Sequence, residues 1–278
     1  MINALRLTRY YGVTTDQLAQ LRAMAGDRGA GPDLAAFGTQ FRLMDKPGGH
    51  SFDMDARDRR EILEQIRTGK QAADIMVANA HWHQNRYDFQ SYSYDHFPAD
   101  FEISFAHDAI DNGADVFIAQ GVHTIKGVEI YKGRPIFYGV STFVWQSAIK
   151  PIPKGKAAPG TAPAAAAPQA ARPEATAPGD RDAIVGEHET QGRTGQLRSN
   201  LESILVSSHF ENGRLAEVRI YPVDLGQTPR PGSQVGIPRR PAPLVARKIL
   251  DEVIEYSKPF GTTIEVRDGV GIVRLPEG

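Results

Sequence analysis

Two stretches decide the fold of this 278-residue chain: ADIMVANAHWHQ at residues 73–84 and ADVFIAQGVHTIKGVEIYKGRPIFYGVSTFVWQ at residues 114–146. Each begins with a short apolar run, over 74–80 and over 115–119, that has the length and composition of a buried strand. Between them, apolar residues recur at helical spacing up to Gly113. The pattern predicts a strand–helix–strand unit, whose crossover makes the two strands parallel.

Three histidines follow these predicted strands. His81 and His83 come directly after the first strand, and His123 follows the second. Because side chains alternate along extended chain, His81 and His83 are predicted to face one side and Trp82 the other, a spacing that suits a chelating pair. The carboxyl ends of parallel strands share one edge of a sheet, where open α/β sheets bind ligands. We therefore predict that the three imidazoles converge at that edge.

The composition is that of a globular protein and excludes several functional classes. The chain is 41% hydrophobic and 23% charged, with a formal net charge of −1 and both signs interspersed, which argues against a nucleic-acid partner. It has no cysteine, so thiolate metal sites and disulfides are excluded. We expect no signal peptide and no membrane span, since no stretch approaches the ~20 apolar residues that a span requires.

The N-terminal part is predicted to contain two helices. Residues 1–30 are interpreted as one helix that has Thr15 as its N-cap and ends at Gly26. Residues 55–71 are interpreted as a second, because their apolar positions form one stripe and their charges follow the helix dipole.

Later segments are predicted to form hairpins and one further helix. The turn dipeptides Lys132-Gly133 and Asn212-Gly213 each stand between two strand-like runs. The segment VARKILDEVIEYSKPFG (245–261) has the pattern of an amphipathic helix, and TTIEVRDGVGIVRL (262–275) that of a closing hairpin.

A long segment of biased composition interrupts this pattern. Residues 151–197 are rich in Ala and Pro and nearly free of large apolar side chains, so we predict a disordered surface insertion. Because strands are predicted on both of its sides, residues 1–150 and 198–278 are assigned to one α/β domain. The alternative is a linker between two domains.

Residues 113–145, GADVFIAQGVHTIKGVEIYKGRPIFYGVSTFVW, carry a resemblance to a known family. They resemble the closing block of the CapA-type poly-γ-glutamate capsule synthesis proteins, members of the calcineurin-like metallophosphatase superfamily, which reads approximately GADxVxGHGPHVxxGIEIYKGRPIFYSLGNF. The upstream HWH is similar to the H-x-H element of that family, and YPVDL (221–225) and GIPR (236–239) resemble its C-terminal segment. The resemblance implies a four-layer α/β/β/α sandwich with a two-metal site at strand ends.

The resemblance also implies roles for the three histidines. His81 matches a metal-binding histidine, His83 the second histidine of the H-x-H element, and His123 the last histidine of the family's G-H-x-x-H motif. Together they would hold a divalent Mn, Zn or Fe ion. Two-metal sites generate hydroxide near neutral pH and stabilise both the attacking and the leaving oxygen of a displacement.

The chain departs from the family pattern in two ways. Gln120 replaces the first histidine of G-H-x-x-H, and a neutral amide is a poorer ligand for a transition metal than imidazole. Gly121 follows it, and Thr142 stands where the family has Asn, so we place these three residues near the site. The N-terminal family elements GD, N-L-E and N-N-H, which supply the remaining ligands, have no counterpart. We therefore expect a partial α/β/β/α sandwich that lacks the N-terminal half, with an incomplete metal site.

The leading functional hypothesis is a CapA-like protein of capsule, poly-γ-glutamate or other polyanionic polymer synthesis, descended from a metal-dependent hydrolase and truncated. One alternative is an active hydrolase of phosphoester or amide bonds, completed by an N-terminal half-domain on another chain. The other is a non-catalytic module that binds an anionic polymer. The expected ligand is such a polymer or a small-molecule substrate, and the resemblance implies association with the cell envelope. Whether the protein is an enzyme stays open at this point.

Overall fold

Helices and strands alternate along the computed structural model, which describes residues 3–45, 47–84, 86, 96–144, 201–228 and 234–275. In chain order the elements are β1 (Leu7–Val13), α1 (Thr15–Ala25), β2 (Asp33–Ala36), β3 (Thr39–Leu43), β4 (His50–Met54), α2 (Ala56–Gln71), β5 (Val77–His81), α3 (Asp100–Asp111), β6 (Val116–Gln120), β7 (Val128–Tyr131), β8 (Arg134–Phe137), β9 (Glu202–Glu211), β10 (Arg214–Asp224), α4 (Pro243–Ser257), β11 (Glu265–Arg267) and β12 (Val270–Arg274). The insertion predicted at residues 151–197 lies outside the described residues. Within the described ranges, no helix is long and apolar enough to cross a membrane.

A central four-stranded sheet, ordered β5-β6-β8-β7, carries the histidines. Strands β5 and β6 are parallel, in register from Val77 opposite Val116 to His81 opposite Gln120. Helix α3 lies between them in the chain. The predicted strand–helix–strand unit is therefore confirmed, although each strand ends one residue later than expected.

The two turns predicted from dipeptides are also confirmed. Lys132 and Gly133 have φ values of 50° and 73°, and they join β7 to its antiparallel partner β8. Asn212 and Gly213, at 49° and 76°, join β9 to β10 in the same way. Positive φ at both central positions is the requirement of a type I′ turn.

The first part of the chain corrects the prediction of one helix over residues 1–30. Its opening segment is strand β1, which pairs in parallel with β3 and antiparallel with β4, in a sheet ordered β2-β3-β1-β4. The helix is confined to α1, is capped by Thr14 rather than Thr15, and ends at Gly26 in the left-handed conformation. The sequence of β1 did not reveal a strand because both of its partners lie further along the chain, and strand preference depends on such partners.

Two hydrophobic cores cover the two faces of the central sheet. Alternation along β6 places Phe117 on one face and Val116 on the other. Phe117 packs with Leu63 of α2 and Phe105 of α3. Val116 packs in a second core that includes Leu250 of α4 and residues of β9 and β10. The central sheet is thus covered by helices on one side and by the C-terminal elements on the other.

The C-terminal elements form a third sheet, ordered β11-β12-β10-β9. It contains the predicted closing hairpin, and α4 is the predicted amphipathic helix. An antiparallel bridge between Ser141 and Ser203 connects β9 to the loop that follows β8. This bridge brings the third sheet next to the histidine-bearing edge.

Candidate metal centre

His81 and His83 form a close pair at the end of β5. Their Nε2 atoms are 3.2 Å apart, and their rings meet edge to face with centroids 5.1 Å apart. Trp82 turns the other way into the core under α3, where it contacts Phe101. The predicted alternation of these three side chains is therefore confirmed.

His123 completes a group of three neighbouring imidazoles. Its ring centroid lies 6.0 Å from that of His83, and its Nδ1 is 2.8 Å from Oγ1 of Thr142. Burial, followed by the nearby imidazoles of His83 and His81, lowers the pKa of His123 below its ordinary value. The structure thus brings together all three histidines that the sequence singled out, with Thr142 beside them.

Gly121 allows the loop after β6 to approach the loop after β5. Its φ is +115°, and a Cβ atom at this position would lie 2.2 Å from the carbonyl oxygen of Trp82. The amide of Trp82 also donates to the carbonyl of Gln120 at 3.0 Å. Only glycine adopts such a positive φ without strain, and only glycine leaves room for a backbone this close. Gly121 therefore holds His123 near the other two histidines.

Gln120 lies opposite His81 in the register of the two strands but makes a separate contact. Its side-chain amide donates to Oδ1 of Asn79 at 3.1 Å, and both side chains are exposed. The position that the family gives to a histidine is thus occupied by a neutral amide bonded to another amide.

The geometry of the histidine pair is compatible with a shared metal ion. Two nitrogens at ~2.0–2.1 Å from a tetrahedral ion are separated by ~3.4 Å, near the 3.2 Å between His81 and His83. The same separation also fits a hydrogen bond between neutral imidazoles. Within the described ranges, no three His, Asp or Glu side chains are arranged to hold a metal ion. The site therefore offers a bidentate pair with His123 next to it.

The histidine cluster lies within the part of the chain that matches a known protein family. The sequence profile of the family described as bacterial capsule synthesis protein PGA_cap matches residues 13–147. The PGA biosynthesis protein CapA of Bacillus subtilis is 32% identical over 88 residues, which are 32% of this chain and 21% of that protein. Residues 13–147 belong to the CapA-type capsule synthesis family. The capsule biosynthesis protein CapA of Bacillus anthracis is 29% identical over 105 residues, which cover 36% of this CapA-type chain and 22% of its relative.

A longer relative matches nearly the whole of this CapA-type chain. The uncharacterized protein y4sH of Sinorhizobium fredii is 33% identical over 292 residues, which cover 99% of the chain and 58% of y4sH. The chain therefore spans little more than half the length of that relative.

A buried carboxylate near the site of this CapA-type protein was not predicted. The Ser141 hydroxyl lies within hydrogen-bond distance of the carbonyls of His123 and Glu202, at 3.2 and 2.8 Å. The Glu202 side chain is buried and bonded to Lys248. Burial, and then the charge of Glu252, raise its pKa to about 7. A lone Glu at the start of a strand gives no sequence signal for this environment, because its neighbours come from α4.

Proposed function

We propose that this protein is a CapA-like accessory factor in the synthesis of a capsular poly-glutamate polymer, and that its histidine cluster descends from the metal site of a hydrolase. The observation that carries the proposal is the convergence of His81, His83 and His123 at the carboxyl edge of β5 and β6. The match of residues 13–147 to the capsule synthesis family and the names of the two CapA relatives support the polymer assignment. Association with the cell envelope follows from the same assignment.

Nε2 of His81 and Nε2 of His83 would hold the proposed ion, and His123 would supply a third ligand. A ligating histidine usually bonds through its other ring nitrogen to a second group, which fixes the ring. Thr142 occupies that position for His123. When bound, a divalent Mn, Zn or Fe ion supplies Lewis acidity and lowers the pKa of a bound water.

We further propose that the fold is a partial metallophosphatase-like α/β/β/α sandwich and that its site is incomplete. The second core, which residues before and after 151–197 share, supports one domain made of 1–150 and 198–278. Gln120 weakens one side of the site, and the remaining ligands belong to a half-domain on additional sequence. The greater length of y4sH is consistent with such a half-domain.

Two alternatives make different predictions for the same site. In the first, a half-domain on another chain completes an active hydrolase of phosphoester or amide bonds. In the second, the cluster is a relic and the protein only binds polymer. The second is favoured by one observation: among the described residues, no three metal-binding side chains adopt a ligand arrangement.

The proposal is tested by titrating Mn²⁺ and Zn²⁺ into the full chain by calorimetry, beside an assay with a chromogenic phosphodiester. We expect at most one weakly bound ion, because three imidazoles leave an open site, and no turnover. His81→Ala should abolish binding, and His209→Ala, on an exposed histidine of β9, should not. Two tightly bound ions, or turnover lost in His81→Ala, would mean that other residues of this chain complete the site and would overturn the proposal. Complete absence of binding would overturn the metal site and leave the polymer-binding module as the remaining alternative.

A further inference from the structure

A cavity opens on the C-terminal sheet. Its volume is about 820 Å³, within the ~300–1,000 Å³ range of ligand pockets. Its walls come from β9, β10, the start of α4 and the β11–β12 turn, together with the loop after β8. We call it the arginine groove after three of its lining residues, Arg239, Arg240 and Arg247.

The floor of the arginine groove is apolar and open to solvent. Phe143 is 53% exposed and Leu205 is 46% exposed, and both line the groove beside Tyr221. Large apolar side chains grouped in a concave, exposed surface are typical of binding sites rather than of ordinary protein surface. The floor thus offers contact area for the aliphatic part of a ligand.

The rim of the arginine groove is positively charged. Among the described residues, Arg239 and Arg240 have no ion-pair partner, whereas Arg247 is bonded to Asp251. Asp268 is the single carboxylate among the described lining residues. Helix α4 begins at the groove, and its N-terminus has no side-chain cap, which adds partial positive charge. The charge of the rim therefore complements an anionic ligand.

The arginine groove and the histidine cluster share the loop after β8. Phe143 directly follows Thr142, and Thr142 contacts His123. Ser203, which bridges to Ser141, lies two residues before Leu205 on the same strand. The loop after β8 and strand β9 thus contribute residues both to the groove and to the surroundings of His123.

We propose that the arginine groove binds a carboxylate-bearing polypeptide chain, namely an oligomer of glutamate. Arg239 and Arg240 pair with its carboxylates, since guanidinium groups form bidentate contacts with them. Its methylene groups lie on Phe143 and Leu205. The choice of glutamate rests on the proposed function. The preference for a polyanionic chain with aliphatic segments rests on the groove itself.

The test is the affinity of the full chain for fluorescent γ-linked oligo-glutamate, measured by anisotropy in EDTA. The double variant Arg239→Glu/Arg240→Glu should weaken binding about tenfold or more, through lost attraction and new repulsion. Binding should also weaken as NaCl is raised. The control Arg60→Glu/Arg214→Glu changes net charge equally at exposed positions outside the groove, and it should bind like the wild type. Circular dichroism of both variants establishes that they are folded.

Several outcomes would overturn the inference. The first is equal affinity of both double variants, and the second is tighter binding of a polyuronate than of oligo-glutamate. The third is a dimer that only Arg239→Glu/Arg240→Glu dissociates, which would mean that a second copy of the chain occupies the groove. EDTA removes any bound metal ion, so the affinity measured here does not depend on the metal proposal. Failure of the metal proposal would therefore leave this measurement unchanged, and failure of the groove would leave metal binding unchanged.

Discussion

Gly121→Ala tests whether the two loops of the histidine cluster must approach as closely as the structure shows. The added methyl group would lie 2.2 Å from the carbonyl oxygen of Trp82 and 3.0 Å from its carbonyl carbon and amide nitrogen. All three are backbone atoms in the turn between His81 and His83, so no side-chain rotation relieves the contact. The residue must also retain a φ of +115°.

The two effects give an expected loss of about 2–6 kcal/mol in the free energy of unfolding. Strain at an unfavourable backbone conformation contributes ~1–3 kcal/mol, and forced displacement of packed atoms contributes ~1–3 kcal/mol. Gly133→Ala separates them, because Gly133 has a φ of +73° with no atom within 4 Å of the added methyl group. That variant should lose only ~1–2 kcal/mol.

The assay is urea unfolding of the two variants and the wild type, followed by circular dichroism. The difference between Gly121→Ala and Gly133→Ala measures the close approach to Trp82. Equal losses would refute the reasoning, since they would mean that the backbone of Trp82 does not limit the space at Gly121.

Two further predictions concern buried charges. The Lys126 ammonium and the Glu102 carboxylate are both fully buried and 2.9 Å apart, so Lys126→Met should destabilise the fold by ~3–5 kcal/mol. Glu102→Leu/Lys126→Met should recover most of that loss in urea unfolding, and a double variant as unstable as the single one would contradict this explanation. The pKa of Glu202 is raised from 4.5 to about 7. Between these two pH values the folded protein retains a proton that the unfolded chain has released. The free energy of unfolding should therefore fall by about 3 kcal/mol as the pH rises from 4.5 to 7. Glu202→Gln should remove that slope in unfolding measured from pH 4.5 to 7.5, whereas the exposed control Glu211→Gln should keep it.

The parts of the fold that the sequence predicted are those set by local signals. Strands β5 and β6 were recognised from apolar runs, and the turns at Lys132-Gly133 and Asn212-Gly213 from residues that tolerate positive φ. The N-terminal sheet was missed because β1 pairs with β3 and β4, and such non-local pairing leaves no periodic signal. Thr14, not Thr15, caps α1 because its side chain accepts from the Gln17 amide.

The residues of the candidate site were likewise predicted where local signals determine their positions and missed where remote elements do. Alternation after β5 and the shared edge of parallel strands were sufficient to bring His81, His83 and His123 together. Glu202 and the arginine groove depend on packing between β9, β10 and α4, which are remote in the chain from the histidines. Arg239 is the last residue of the family-like segment GIPR, but nothing in that segment indicated a groove.

The metal site at His81 and His83 is tested most directly by anomalous diffraction at the zinc edge. Crystals of the full chain are soaked in Zn²⁺, and the position of the metal ion is read from the anomalous map. We predict one peak at ~2.0–2.1 Å from Nε2 of both His81 and His83, beside His123. A map at saturating Zn²⁺ with no peak between His81 and His83, or with its strongest peak elsewhere, would contradict it.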